Sequence, residues 1–104
     1  MVLHLSATYR VVLRRLRGES ARLSAAEDWP LVPRATEADW QEAVGALRRL
    51  NAELRGAVRA FPADRLDQPL VPDPPYPAYT QFIGLTQHDL YHAGQISLLK
   101  RALG

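Results

Sequence analysis

Apolar residues recur every three or four positions along three segments of this chain, and no segment alternates apolar and polar residues as a strand does. The first segment runs from about Val2 to Arg17. Its apolar positions share one face, with arginines on the opposite face; they are Val2, Leu5, Tyr9, Val12, Leu13 and Leu16. The pattern predicts an amphipathic helix that buries its apolar face against the rest of the protein.

The second segment has the most regular helical pattern. Thr36 is a candidate N-cap, and acidic residues follow in the first turn. Apolar positions then recur at alternating steps of four and three, which makes a heptad seam; its members are Trp40, Val44, Leu47, Asn51, Leu54, Val58 and Phe61. The polar Asn51 either fixes the register of the helices or lines a pocket. Pro62 is expected to end this helix.

Prolines separate the second helix from a third. Residues 62–77 contain six of the eight prolines and predict a non-helical connection. Pro77 suits the first position of the next helix, which is expected from about Ala78 to Leu103. Residues 19–34 have a mixed pattern, and their prolines exclude a long helix there. Three long helices without strands predict an all-α helix bundle, with residues 1–104 as a single domain.

The composition narrows the class of protein. With 47% hydrophobic and 23% charged residues, it is typical of a soluble globular domain. The sequence shows neither a membrane span nor a signal peptide, so we expect a cytoplasmic protein without a membrane partner. The lack of cysteine excludes disulfides and cysteine-ligated zinc. A net charge of +2 is too small to indicate nucleic-acid binding, and the arginines are expected to form a solvated face rather than a phosphate site.

The segment from His88 to His92 carries the strongest chemical signal. Residues four apart lie about 40° apart around a helix axis, so both imidazoles share one face. Helices commonly chelate transition metals from this spacing. On a helical projection both histidines point into the apolar face, near Leu85 and Ile96. Because a buried imidazole needs a partner, the alternative is a pair of core histidines hydrogen-bonded to glutamine or backbone.

Four further residues are candidates for the same site. His4, the remaining histidine, lies at the edge of its helix's apolar face, where an isolated boundary histidine is the alternative. Convergence of all three histidines would leave coordination positions open, as in catalytic metal sites. Asp89 is a ligand, an outer partner that orients an imidazole, or a solvated acid. Tyr91 either projects towards the site or packs in the core, and Gln95 lies on the inward face, where it would line a pocket.

The last helix also resembles a known family. The segment from Gln87 to Lys100, QHDLYHAGQISLLK, is similar to the last-helix signature of the DinB/YfiT-like superfamily, which consists of bacterial metal-binding four-helix bundles. The resemblance continues in His4-Leu5 with the arginine-rich helix that ends at Arg17-Gly18-Glu19, and in Glu37-Ala38-Asp39-Trp40. These segments follow the family's order along nearly the whole chain.

The resemblance implies a divalent metal ion, nickel or zinc, held by His4, His88 and His92. Family members with known activity are mostly metal-dependent thiol S-transferases and related isomerases that use small thiols such as bacillithiol or mycothiol. Many other members have no known reaction, and no motif in this chain selects one. The expected function is a metal-dependent enzyme of the thiol S-transferase or a hydrolase-like type with a small-molecule substrate. The alternative is a non-catalytic metal-binding or dimeric stress-response bundle. A cleft of roughly 300 Å³ or more beside the histidines would favour the enzyme.

The chain departs from the family at its beginning. The family's first helix should precede the His4 helix, yet only three residues precede His4. Either the true start lies upstream, or another subunit covers the apolar surface that this helix would cover. Because large apolar patches are rare on soluble monomers, we expect a homodimer.

Overall fold

The computed structural model describes residues 1–29 and 36–103, and within them the regular structure is helical. The helices are α1 (Val2–Leu16), α2 (Ala25–Asp28), α3 (Glu37–Ala60) and α4 (Ala78–Ala102), with a short 3₁₀ turn at Ala63–Arg65. The prediction of three long helices is confirmed, with ends within a residue or two of those expected. The prolines of residues 30–35 lie outside the described residues.

Local signals in the sequence account for the helix ends. The Thr36 side chain accepts a hydrogen bond from the backbone N–H of Asp39 at 3.1 Å and so caps the start of α3, as predicted. At the end of α1, Gly18 adopts a φ of 90°, which favours glycine. The N–H of Glu19 then bonds the carbonyl of Arg14 at 3.1 Å, and that of Gly18 bonds Arg15 at 3.0 Å. This Schellman motif turns the chain away from α1.

The core lies between α1 and α3. Tyr9, Val12 and Leu13 of α1 and Leu54 of α3 form its buried cluster. Helix α1 is the central element, because both α3 and α4 pack against it. The heptad seam of α3 is only partly covered: Leu54 is buried, whereas Trp40 remains 53% exposed.

The apolar face of α4 is covered over only part of its length. The helical projection placed Ile96 on the inward face with the two histidines, but Ile96 is exposed, as are Leu99 and Leu103 further along the helix. Helix α4 runs antiparallel to α1, and His4 near the start of α1 lies level with His88. Residues of α4 beyond His92 therefore extend past the start of α1, and among the described residues no long helix covers them.

The proline-rich connection packs against the start of α4. Backbone N–H groups of Ala78 and Tyr79 donate to the carbonyls of Gln68 and Leu66 at 2.9 and 2.8 Å. Val71 and Pro74 are buried, so this non-helical segment is attached to the bundle. No helix within residues 1–29 and 36–103 has both the length and the apolar character needed to cross a bilayer.

Candidate metal centre

The three histidines of the chain meet at one end of the α1–α4 contact. Nε2 of His88 lies 2.9 Å from Nε2 of His4 and 2.9 Å from Nε2 of His92. His4 and His92 are buried and His88 is half-buried. The interpretation of His4 as an isolated boundary residue is therefore wrong. We call His4, His88 and His92 the histidine cluster.

The outer nitrogens of two of these rings are occupied by oxygen atoms. Nδ1 of His4 lies 2.7 Å from the backbone carbonyl oxygen of Asp28 and 2.9 Å from its carboxylate. Both oxygens only accept, so Nδ1 carries the hydrogen and Nε2 keeps a free lone pair. Nδ1 of His92 likewise lies 2.6 Å from Oε1 of Gln95, which directs its Nε2 lone pair to the same point. Partners that orient an imidazole in this way are characteristic of metal-ligating histidines.

His88, the third ring of the cluster, is neutral. Burial, reinforced by the neighbouring His92 and His4, lowers the pKa of His88 below its ordinary value, so the ring is uncharged at neutral pH. A neutral ring has one N–H and cannot donate from Nε2 to both neighbours at once. Its Nδ1 is buried without a hydrogen-bond partner in the described part of the chain. The described residues therefore fit a cation, since the lone pairs of His4 and His92 converge on His88 with no adequate donor between them.

A short helix that the sequence analysis missed completes the surroundings of His4. Ser24 and Glu27 form a capping box, in which the Ser24 hydroxyl and the Glu27 carboxylate each accept from the other residue's backbone N–H at 3.2 Å. These hydrogen bonds lower the pKa of Glu27. The cap starts α2, which ends at Asp28 beside His4. The next residue, Trp29, stacks on the His4 ring at 3.8 Å between centroids. The spacing Ser24-x-x-Glu27 was the signal that could have located this element.

The other candidate residues occupy three different environments. Gln95 contacts the cluster through His92, on the inward face where it was expected. Tyr91 is mostly exposed, with its ring edge-on to His92 at 5.4 Å between centroids. The interpretation of Asp89 as a solvated acid is wrong, because its carboxylate accepts a hydrogen bond from the buried Tyr9 hydroxyl. Asp89 thus connects α4 to α1 instead of lying against the imidazoles.

Tyr9, Asp89 and Asn51 join the three long helices through polar side chains. The Asn51 amide donates to the Tyr9 oxygen at 3.4 Å, and Tyr9 donates to Asp89. Burial, with the Asp89 hydrogen bond, raises the pKa of Tyr9 to about 12. This network supports the interpretation that the polar break in the α3 seam fixes helix register.

Removal of the Tyr9 hydroxyl should destabilise the fold. In Tyr9→Phe the half-buried Asp89 carboxylate loses its donor, and we expect the free energy of unfolding to fall by about 1–3 kcal/mol in urea titrations at pH 7. Because the folded-state pKa of about 12 lies above the ordinary 10.0, the phenol's contribution is complete below pH 10 and is lost as the pH rises towards 12. Tyr79→Phe, at an exposed position of α4, is the control. Equal stability of the two variants would contradict this role.

A cleft opens between α1 and α4 directly beside the histidine cluster. It has a volume of about 380 Å³ and reaches from His88 to Arg15 and Gln81. Its walls are mainly apolar, with Val11 and Leu85 on opposite sides. The cleft exceeds the roughly 300 Å³ that small-molecule sites need, so a ligand could approach His88 from this side.

Fold and site together define an all-α helix-bundle protein with a three-histidine cluster that could hold a metal ion. A sequence model of the DinB superfamily matches residues 1–96, which include all three histidines. The chain belongs to the DinB superfamily. Neither a curated protein nor a solved structure matches the chain.

Proposed function

We propose that this protein is a metal-dependent enzyme of the thiol S-transferase type that acts on a small molecule, with a divalent zinc or nickel ion held by His4, His88 and His92. One observation carries the proposal: three imidazole nitrogens converge beside a cleft large enough for a substrate. An all-nitrogen set suits zinc or nickel and disfavours magnesium or calcium. Three protein ligands leave positions open, as catalytic metal sites require.

The residues around the cluster would have different roles at such a site. A divalent ion there would supply a Lewis acid that lowers the pKa of a bound thiol or water. Asp28 and Gln95 hold the rings of His4 and His92 in the orientation that presents Nε2. Trp29 covers one face of His4, so access is favoured from the cleft, on the side of His88.

Enzyme activity should appear only with the metal and an intact cluster. We expect the zinc- or nickel-loaded protein to accelerate conjugation of a low-molecular-weight thiol, from a panel that includes bacillithiol and mycothiol, to a chromogenic electrophile. Metal-free protein and the His92→Ala variant should show only the uncatalysed rate, whereas Gln87→Ala, at an exposed position on the same helix, should keep the activity. Stoichiometric metal binding without acceleration by any thiol would favour the alternative, a non-catalytic metal-binding or dimeric stress-response bundle.

We propose further that the protein is a homodimer formed through the outer face of α4, defined as Ile83, Leu90, Tyr91 and Leu98 around Gly94. The four large side chains are all exposed in the isolated chain. Leu90, Gly94 and Leu98 follow at steps of four and form one ridge, on the side of α4 away from His92. A second copy is the occupant that this ridge favours, because a two-fold pair places identical apolar ridges against each other. The cytoplasmic location and the absence of nucleic-acid and membrane partners stay predictions.

A further inference from the structure

Arg15 stands out within the cleft between α1 and α4 because, within residues 1–29 and 36–103, it forms no ion pair with an acidic side chain. Its Nε donates to the carbonyl oxygen of Ala21 at 2.9 Å, and its Nη1 donates to Oε1 of Gln81 at 3.1 Å. Both acceptors are neutral. Arg14, Arg17 and Arg22 are the arginines that form ion pairs in the described part of the chain, and the nearby carboxylate of Asp73 accepts from Arg22 at 2.6 Å.

The guanidinium is held in a definite position. Gln81, which accepts from it, is buried and donates its own amide to the carbonyl oxygen of Tyr76 at 2.9 Å. Hydrogen bonds to Ala21 and Gln81 therefore hold the guanidinium on two sides. Its Nη2 hydrogens remain without a partner in the described part of the chain. Burial and the neighbouring charge of Arg22 lower the pKa of Arg15, and the smaller opposing effects of Tyr76 and Asp73 do not offset them. A fixed guanidinium with free N–H groups is suited to a carboxylate, whose two oxygens can each accept.

The length of the cleft sets the separation between the Arg15 guanidinium and the histidine cluster. Gln81 and His88 are seven residues apart on α4, which corresponds to about 10.5 Å along the helix axis. Between them the walls are contributed by Val11, Val12 and Leu85. A ligand that fills the cleft thus meets a cation at one end, an apolar passage in the middle and the His88 imidazole at the other end.

We propose that the cleft selects small molecules that carry a carboxylate at one end and their reactive group at the other, with Arg15 binding the carboxylate. The inference rests on the proposed function and deepens it, since it assigns a substrate class to the same site. Arg15 acts as a specificity-determining residue, about 10 Å from the reacting atoms. Its contribution comes from binding and orienting the substrate.

The test compares ligands that differ only at the far end. The cobalt-loaded protein is titrated with ω-mercapto carboxylic acids of increasing chain length and with the corresponding ω-mercapto alcohols. The thiolate-to-cobalt absorption band reports attachment at the histidine cluster. At the chain length that spans the cleft, we expect the acid to bind about tenfold more tightly than the alcohol, since a charge-assisted hydrogen bond contributes this much.

Matched variants assign the effect to Arg15. Arg15→Gln should abolish the preference for the acid, and Arg15→Lys should retain part of it. Arg10→Gln makes the same change of charge at an exposed position of α1 and should leave the preference intact. Equal binding of acid and alcohol at every chain length, or a preference that survives in Arg15→Gln, would overturn the inference.

An experiment on metal-free protein distinguishes failure of this inference from failure of the proposed function. Alkanoic acids without a thiol are titrated calorimetrically into metal-free protein and into metal-free Arg15→Gln. Binding that depends on Arg15 supports the carboxylate site even if cobalt does not bind, in which case the metal proposal alone fails. Normal cobalt binding combined with alkanoate binding that is identical in the two proteins refutes the role of Arg15 and leaves the metal proposal intact. Thermal melting of each variant confirms that it is folded.

Discussion

Replacing His88 and His92 together by alanine should abolish stoichiometric uptake of zinc or nickel. The two rings supply two of the three nitrogens that converge within the cluster, all of which lie within 4.8 Å of one another. His4 alone would remain, and a single imidazole does not retain a divalent ion through purification. The proton-bearing Nδ1 atoms of His4 and His92 face Asp28 and Gln95, so neither ring can offer a second ligand atom without losing that contact.

Metal content is to be measured by elemental analysis of protein purified without an affinity tag. The control is Gln87→Ala/Ser97→Ala, two exposed positions on the same helix. The control should bind one ion per chain, as the unmodified protein does. His4→Ala should retain a weaker site, because its removal leaves the pair on α4. Unchanged metal content in the His88→Ala/His92→Ala variant would refute the assignment of the histidine cluster as the metal site.

We expect the protein to form a homodimer in solution. Its mass would then be twice the 11.6 kDa of one chain. Sedimentation equilibrium at low micromolar concentration should give a single species of this doubled mass. The physical reason is the outer face of α4, where Leu90 and Leu98 are 69% and 68% exposed. Burial of each such side chain contributes about 1.5–3 kcal/mol, and a two-fold interface buries every member twice.

Charge placed on this ridge should separate the copies. Leu90→Arg/Leu98→Arg should sediment as a folded monomer, because two arginines per copy would face each other across the interface. Glu42→Arg/Glu53→Arg, which adds arginines at exposed positions of α3, should remain a dimer. A folded monomer of the unmodified protein would show that the outer face of α4 does not pair with itself.

The sequence was sufficient for the three long helices because the signals involved are local. The apolar repeat of α3, the Thr36 cap and Pro62 each act within a few residues, and the observed helix runs as they predict. The spacing of His88 and His92 is likewise local, since the helix itself puts them on one face. Such features depend on backbone geometry and not on what packs against the helix.

The composition of the site depended on contacts between residues distant in sequence. His4 joins His88 across 84 positions, and only the antiparallel packing of α1 on α4 brings them within 2.9 Å. Asp89 follows His88 in the chain, yet in the packed structure its carboxylate accepts a hydrogen bond from Tyr9 of α1. Periodicity alone did not distinguish these outcomes, because it describes the faces of a helix without showing what lies opposite each face.

The sequence by itself thus determined three helices, their ends and the pair of histidines that share a face, because short-range hydrogen bonding and side-chain periodicity dictate them. Tertiary structure alone decided that Asp28 and Trp29 surround His4 and that Arg15 shares a cleft with His88. It also left the end of α4 exposed, against the inward face predicted for it. The physical reason is that burial and pairing depend on which surfaces of different elements meet, and a one-dimensional pattern does not contain that information.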